Sequence, residues 1–367
     1  MRKPYINSCV VLAGCACLLV SVAGCAPTLF GSRPRYRPGS EESIARLTRR
    51  IDPLVPLFPP VRRSSLPETS VDSLLEGDAR AQLFRLESLL RLYRHKFPPL
   101  AEHLRQVKEV EDGLGAYTYA VESLKFAKEK FKKENQTQAQ GPDAETEQER
   151  ILEGLGKKEE LARDGLKRLL ARSTLGSDLQ PLRSQVNSRF TGWGYAKDVP
   201  YVKRQLQRTL KDVRDGKFDF KKLEDGVHEF RRQLRWFPMT IDSLDGLILV
   251  RDDPEGACPV PALEKLAGSA AARHRYSNPE LRFPAEHSCT ISRCLLWQVV
   301  KTVRDIGRLQ NEAQGNLAVD SALDDVDVAS SNEITPEETA RAEAIRIELF
   351  ESRALESLMA QLSSCKS

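Results

Sequence analysis

Aromatic residues, net charge and long apolar runs are all scarce in this 367-residue chain. Aromatic side chains make up 7% of it, and 56 Lys and Arg residues nearly balance 52 Asp and Glu residues, for a net charge of +4. Because a chain so close to neutrality exerts little long-range attraction on phosphate, its bulk charge disfavours nucleic acid as a partner. Beyond residue 25 no uninterrupted apolar run reaches the roughly 18 residues of a membrane span, so we expect a soluble body.

Catalytic motifs are absent as well. The chain has no Gly-x-Ser-x-Gly elbow, no His-Glu-x-x-His zinc motif and no Gly-rich phosphate loop with a Walker-type Lys. A hydrolase acting on a polyphosphate-like substrate needs a metal cluster of carboxylates and His, and none is spaced for it. We therefore expect a protein that is not an enzyme and holds neither a cofactor nor a metal.

The N-terminal segment has the pattern of an export signal. Arg2 and Lys3 precede an apolar stretch over residues 9–22 that is too short to span a membrane. The segment ends in Val-Ala-Gly-Cys at Cys25, which resembles the bacterial lipobox. This resemblance implies that the signal 1–24 is cleaved and that the Cys25 thiol receives a diacylglyceryl chain. A secretory signal cleaved elsewhere and an uncleaved anchor are the alternatives.

The residues after Cys25 indicate a location and a tether. By analogy with enterobacterial sorting, the non-acidic Ala26 favours the outer membrane with the body facing the periplasm; the inner membrane and the cell surface stay open. Residues 26–67 hold eight of the chain's 21 prolines. Because Pro removes backbone donors and favours extended chain, we predict a lipid-anchored, extended, Pro-rich tether over 25–70.

From Val71 onward the apolar residues recur at three- and four-residue spacing, which is typical of α-helix, and no strand alternation is evident. Thr335, Pro336 and Glu338 form the clearest helix start, a capping box with Pro in the first turn. Segments 133–149, 251–288 and 313–335 are predicted to be linkers or loops. Helices are predicted over 71–95, 99–131, 146–172, 176–190, 199–214, 220–250, 290–311 and 336–363. The sequence thus predicts an all-α fold.

A weak internal repeat divides the body. The matching segments are 107–112 with 300–305, each followed shortly by a glycine, Gly115 or Gly307. An Arg- and Leu-rich amphipathic helix precedes each segment. We therefore predict a helical bundle of two related halves, 71–190 and 195–365.

Four cysteines remain beyond the signal and the lipid site: Cys258, Cys289, Cys294 and Cys365. An even number in an exported chain predicts two disulfides, with three connectivities open. Cys258 lies in a Pro-rich loop that a disulfide would tie to the helix predicted to carry Cys289 and Cys294, which leaves the remaining one for Cys365. A metal site using His287, Cys289 and Cys294 is the alternative, but the spacing matches no recognised zinc pattern.

The helix around residue 230 has the most distinctive chemistry. Its apolar residues share one side: Val227, Phe230, Leu234, Phe237 and Ile241. Its cationic residues share the other: His228, Arg231, Arg232 and Arg235. Such a face suits a polyanion, because each guanidinium can grip phosphate oxygens bidentately. Arg80 and Arg91 share one face of the corresponding helix in the first half, where Glu87 neutralises part of the charge.

These helices resemble those of the CHAD family, the conserved-histidine α-helical domains. In that family a helix opens with His, carries Arg three residues later, and has further Arg or Lys at about seven, eight and ten. In the second half the matching residues are His228, Arg231 and Arg235, whereas Trp236 and Pro238 depart. In the first half Arg80 and Arg85 match, whereas Gly77, Phe84 and Glu87 depart. The resemblance implies two related helical bundles around a basic channel that binds inorganic polyphosphate.

Two functions therefore compete. In the first, the lipoprotein binds an anionic polymer such as polyphosphate without catalysis. In the second, it is a structural scaffold that binds another envelope protein, and the acidic segment 320–356 covers the basic one, 195–235. The first requires both basic helix faces to converge on one cavity, whereas the second allows them to point apart.

Overall fold

The helical spacing of apolar side chains produces helix along most of the chain. A computed structural model describes residues 40–59, 71–137, 142–252, 258, 261–279, 282, 289–323 and 332–365. The α-helices are α1 (Ser40–Ile51), α2 (Val71–Glu76), α3 (Ala79–Tyr93), α4 (Leu100–Thr137), α5 (Pro142–Arg172), α6 (Leu175–Arg189), α7 (Tyr195–Asp215), α8 (Glu229–Ser243), α9 (Arg293–Leu323), α10 (Pro336–Glu351) and α11 (Ala354–Ser364). The predicted all-α bundle is confirmed. The signal 1–24 and Cys25 lie outside the described residues.

The capping box predicted for the last long helix is present. The Glu338 backbone N–H donates to Thr335 Oγ1 at 3.2 Å, and the Glu338 carboxylate accepts from the Thr335 backbone N–H at 3.0 Å. These reciprocal bonds satisfy two donors that would otherwise be unpaired at the start of α10. Of the predicted linker 133–149, residues up to Thr137 continue α4 and those from Pro142 begin α5.

Helix α1 corrects the prediction of an extended tether. It lies within 25–70, and the helix with its following turn buries Leu47, Ile51, Leu54 and Phe58. No proline lies between Pro38 and Pro53, so the 12 residues of α1 keep their backbone donors. The high Pro content of the wider segment concealed this amphipathic stretch. The rest of the predicted tether, 25–39 and 60–70, lies outside the described residues.

A buried ion pair fixes α1 to the bundle. Arg46 contacts Asp198 of α7 at 2.5 Å, and both side chains are fully buried. Ser43, Tyr93 and Trp193 also donate to the Asp198 carboxylate, at 2.7, 2.8 and 3.2 Å. Because removing one partner of such a pair leaves a buried charge uncompensated, this network holds α1 firmly in the fold.

Two short strands interrupt the predicted helices 220–250 and 290–311. β1 (Ile248–Arg251) pairs in parallel with β2 (Cys289–Ser292), in a register that sets Ile248 beside Cys289. Each strand is only four residues long, and β1 is apolar at its first three positions. A short apolar run of this kind cannot be distinguished from buried helix by periodicity, so the prediction of uninterrupted helix is wrong here.

The four cysteines form two disulfides, Cys258–Cys294 and Cys289–Cys365. The prediction left open which of Cys289 and Cys294 pairs with Cys258, and the structure selects Cys294, which leaves Cys289 for Cys365. Cys294 lies on α9 as expected, whereas Cys289 lies on β2 rather than on a helix. The bonds tie the loop and the end of α11 to the junction between β2 and α9.

Four helices position the candidate site. α3 packs on α4, α8 packs on α9, and α3 and α8 pack against each other between them. A π-helical turn (Leu223–His228) leads into α8, and α5 runs beside α4. Between β1 and β2 the chain forms two short 3₁₀ helices, Pro261–Leu266 and Arg275–Ser277. None of the described helices combines the length and the apolar character needed to cross a bilayer.

Candidate anion-binding cavity

The two predicted basic helix faces meet at one cavity of about 1350 Å³. It is lined by all six predicted binding residues: His228, Arg231, Arg232, Arg235, Arg80 and Arg91. The apolar residues predicted for the opposite side of the second-half helix, from Val227 to Ile241, are fully buried. The 3.6-residue period therefore places the basic residues on the cavity wall and the apolar ones in the core.

A glycine on the following helix makes room for one arginine of each half. A Cβ atom on Gly307 of α9 would lie 2.8 Å from Arg231 Nε, and one on Gly115 of α4 would lie 2.9 Å from an Arg80 guanidinium nitrogen. The sequence comparison aligns Arg80 with Arg231. In both places an arginine therefore lies close against a glycine of the helix that follows.

Gln310 of α9 joins Arg231 to His228. Arg231 donates to Gln310 Oε1 at 3.1 Å, and Gln310 Nε2 lies 2.7 Å from His228 Nδ1. Because Arg has no acceptor, the amide oxygen must face Arg231, and the amide nitrogen then donates to Nδ1. Nδ1 is therefore unprotonated and the ring proton is on Nε2. Burial lowers the pKa of His228, so the ring is neutral at pH 7.

Arg231 and Arg235 have no carboxylate partner among the described residues. The guanidinium of Arg235 lies 4.2 Å from the centre of the Phe84 ring, and its Nε, like that of Arg231, is buried without a hydrogen-bond partner. Burial, followed by the charges of Arg235 and Arg80, lowers the pKa of Arg231 to about 10, and burial also lowers the pKa of Arg235. Both stay cationic at neutral pH, as two partly desolvated like charges.

The other predicted cations are paired with carboxylates. Arg80 Nε donates to Glu111 at 2.9 Å. Arg91 donates to Glu87 at 2.8 Å, as the sequence predicts, and its guanidinium lies 4.5 Å from the Trp236 ring centre. Arg232 pairs with Glu229 one turn away. The free positive charge of the two basic faces therefore lies mainly at Arg231 and Arg235.

Residues 332–334 of the acidic segment 320–356 pair with the backbone of 221–224, but within the described residues no acidic side chain of the segment forms an ion pair with the basic face. Glu348 of α10 contacts Lys301 at 2.8 Å, on a different side of α9. His228 and Arg231 have their partner on α9, and Arg232 has its partner on α8. The acidic positions 324–331 lie outside the described residues.

Sequence reasoning missed the residues that complete the cavity. They are mostly neutral or acidic, and they come from α4, α5, α9 and the π-helical turn: Glu111, Tyr119, Glu122, Lys158, Glu224, Gln310, Asn311 and Gln314. The glycines of the repeat carried a signal, because a Gly in a helix opposite an Arg predicts close approach. Within the described residues, no three His, Cys, Asp or Glu side chains are grouped in a way that could hold a metal ion.

No family model matches this chain, and neither a curated protein nor a solved structure resembles it significantly.

Proposed function

We propose that this protein is an envelope lipoprotein, anchored through Cys25, that binds an anionic, phosphate-rich polymer in the cavity without catalysis. One observation carries the proposal. Arg231 and Arg235 are partly desolvated cations that face a large cavity and have no carboxylate partner among the described residues. An entering anion would relieve the repulsion between them.

The geometry of the arginines supports phosphate as the charged group. Each guanidinium presents planar, fork-shaped donors that match two phosphate oxygens, and such charge-assisted bonds are about twice as strong as neutral ones. Since Gln310 and the Phe84 ring already hold Arg231 and Arg235 in place, little side-chain entropy is lost on binding. The resemblance to CHAD domains supports the same ligand class and suggests polyphosphate as its simplest member.

The location is part of the proposal. The lipobox-like sequence at Cys25 supports attachment to a membrane, with Ala26 favouring the outer membrane and a periplasmic body. The two disulfides support export, because disulfides persist in oxidising compartments. The lipid bilayer is then one partner and the anionic polymer another.

The test measures binding of fluorescein-labelled polyphosphate to the mature chain in detergent, by fluorescence anisotropy across a salt series. We expect affinity to fall with salt, and the variant Arg231→Glu/Arg235→Glu to bind at least roughly 100-fold more weakly, since each hydrogen bond to a charged group contributes about 1.5–3 kcal/mol. Arg204→Glu/Lys211→Glu on α7 is the matched control, because it makes the same charge change at exposed positions outside the cavity wall. We expect that control to stay within about threefold of the wild type.

Equal binding by the wild type and the cavity variant would contradict the proposal. So would a wild type that binds neither polyphosphate nor any other phosphate-rich polymer. Both results would favour the structural alternative, in which the helical body binds another envelope protein.

A further inference from the structure

The same cavity contains carboxylates that form no ion pair with a described residue. Glu122 of α4 and Glu224 of the π-helical turn line it, and neither forms an ion pair with a described residue. Among the described residues, the Glu224 carboxylate accepts one hydrogen bond, from Gln314 at 3.4 Å. The wall therefore presents strong acceptors as well as the donors of Arg231 and Arg235.

The rest of the wall is rich in neutral hydrogen-bonding groups. Side-chain amides and hydroxyls line the cavity between the charged residues: Thr118, Ser123, Gln310, Asn311, Gln314, Ser321 and Asn332. Two aromatic rings join them. Trp236 is partly buried, and Tyr119 is 40% exposed.

A bare polyphosphate chain matches only half of these groups. Its oxygens accept hydrogen bonds but have no proton to donate at neutral pH, so Glu122 and Glu224 would gain no bond from it. The cavity is lined by seven Lys and Arg residues and five Asp and Glu residues, far from the dense positive charge that a chain with one negative charge per phosphate requires. Glu122 and Glu224, which are outside any ion pair formed by described residues, would repel it.

We propose that the ligand carries its phosphate groups on a hydroxylated sugar body, as a phosphorylated glycan does. Arg231 and Arg235 bind the phosphate, and Glu122 and Glu224 accept hydrogen bonds from sugar hydroxyls. The half-exposed ring of Tyr119 presents an apolar face to sugar C–H groups. This inference rests on the proposed anion-binding function and specifies which anion the cavity takes.

The test compares two probes on the mature chain in detergent, at equal phosphate concentration: phosphomannan, and polyphosphate of similar charge. We expect phosphomannan to bind at least tenfold more tightly. We expect Glu122→Gln/Glu224→Gln to weaken phosphomannan binding roughly fivefold, because a neutral acceptor replaces a charged one, and to strengthen polyphosphate binding, because repulsion is lost. Opposite signs from one isosteric variant identify the role of the carboxylates.

Two controls show whether the opposite changes in affinity for phosphomannan and polyphosphate come from these two carboxylates. Glu76→Gln/Glu351→Gln removes the same charge at exposed positions away from the cavity, and we expect both affinities to stay within about twofold. Unphosphorylated mannan should not bind. Vesicles with and without lipid A, a phosphorylated glycolipid, distinguish a lipid-linked source of this chemistry from a free glycan.

The outcomes separate this inference from the function on which it rests. If polyphosphate binds as tightly as phosphomannan, or if Glu122→Gln/Glu224→Gln strengthens both, the sugar is not recognised and the inference is overturned, while anion binding stands. If neither phosphomannan, polyphosphate nor the lipid A vesicles bind, the proposed function fails and the inference fails with it.

Discussion

Arg80 on α3 and Arg231 on α8 correspond in the predicted repeat, and each lies against a glycine of the helix that follows. Their neighbours differ. Arg80 contacts the carboxylate of Glu111, whereas Arg231 contacts the neutral amide of Gln310. A carboxylate cancels the charge it holds in place, while an amide holds the guanidinium and leaves its charge free. The number of arginines in a basic helix face is therefore a poor measure of its capacity for anions.

The contacts between α3 and α8 repeat the same contrast. Arg85 Nε donates to Asp242 at 3.0 Å. The offset that relates Arg80 to Arg231 relates Arg85 to Trp236 and Asp242 to Arg91, and Arg91 lies 4.5 Å from the Trp236 ring centre. The contacts between the two helices are thus nearly two-fold symmetric in position. They differ in chemistry, because one is an ion pair and the other places a guanidinium over an aromatic ring.

Giving Arg231 a carboxylate neighbour and Arg80 an amide neighbour should reverse which arginine binds the anion. The change in polyphosphate affinity is the largest that we expect from comparing the two arginines. Gln310→Glu would pair Arg231 with a carboxylate and weaken polyphosphate binding about tenfold, whereas Glu111→Gln would free Arg80 and strengthen it severalfold. Anisotropy titrations of the two variants measure both changes. Asn311→Asp adds the same charge to the cavity wall one residue along α9; if it weakens binding as much as Gln310→Glu does, the field of the cavity matters and the pairing does not.

A smaller effect should follow from filling the space beneath the arginines. Gly307→Ala would displace Arg231 and weaken anion binding about threefold to tenfold, while Gly115→Ala would displace the already paired Arg80 and change binding by less than about twofold. Gly165→Ala on α5 is the control, because its Cβ would meet nothing within 4 Å. All three should gain helix propensity, so a melting temperature that falls only for Gly307→Ala would point to misfolding instead.

The smallest effect concerns His228, whose counterpart in the first half is Gly77. Because burial lowers the pKa of His228 below its ordinary 6.5, the unfolded chain binds a proton that the folded chain does not, and stability falls as the pH drops below that value. We expect the free energy of unfolding to lose at most about 1.4 kcal/mol from this residue between pH 7.5 and 5.5. Urea titrations of wild type and His228→Gln at both pH values measure it.

His274 also has a pKa lowered by burial, so only the difference between the two proteins is diagnostic. An identical pH dependence in both would show that His228 binds its proton equally well in the folded and unfolded chains.

The sequence was sufficient to locate the basic wall of the cavity, because that wall depends on a single helical period. All four cationic residues predicted near residue 230 face the cavity, and the opposite apolar residues are buried. The contact between Gln310 and Arg231 could not be predicted from the sequence. Gln310 lies 79 residues from Arg231 along the chain and carries no charge, so nothing local distinguishes it from any other polar residue on a helix.

The errors in the fold have a similar origin. α1 is 12 residues long inside a Pro-rich segment, and β1 is four residues long, apolar at its first three, and begins shortly after α8 ends at Ser243. In both cases the deciding contacts are distant in sequence: Asp198 for α1, and β2 for β1. Periodicity predicts an element when the element is long, and tertiary contacts decide when it is short.

Docking of α1 sets the range over which a lipid-anchored body can act. Between Cys25 and Ser40 the chain has 14 residues, which fully extended reach about 50 Å, whereas the 45 residues of the predicted tether would reach about 150 Å. In the proposed lipoprotein the 14 residues therefore keep the cavity close to the membrane. The cavity then reaches only the layer next to the bilayer, so an anionic polymer must approach the membrane surface in order to bind.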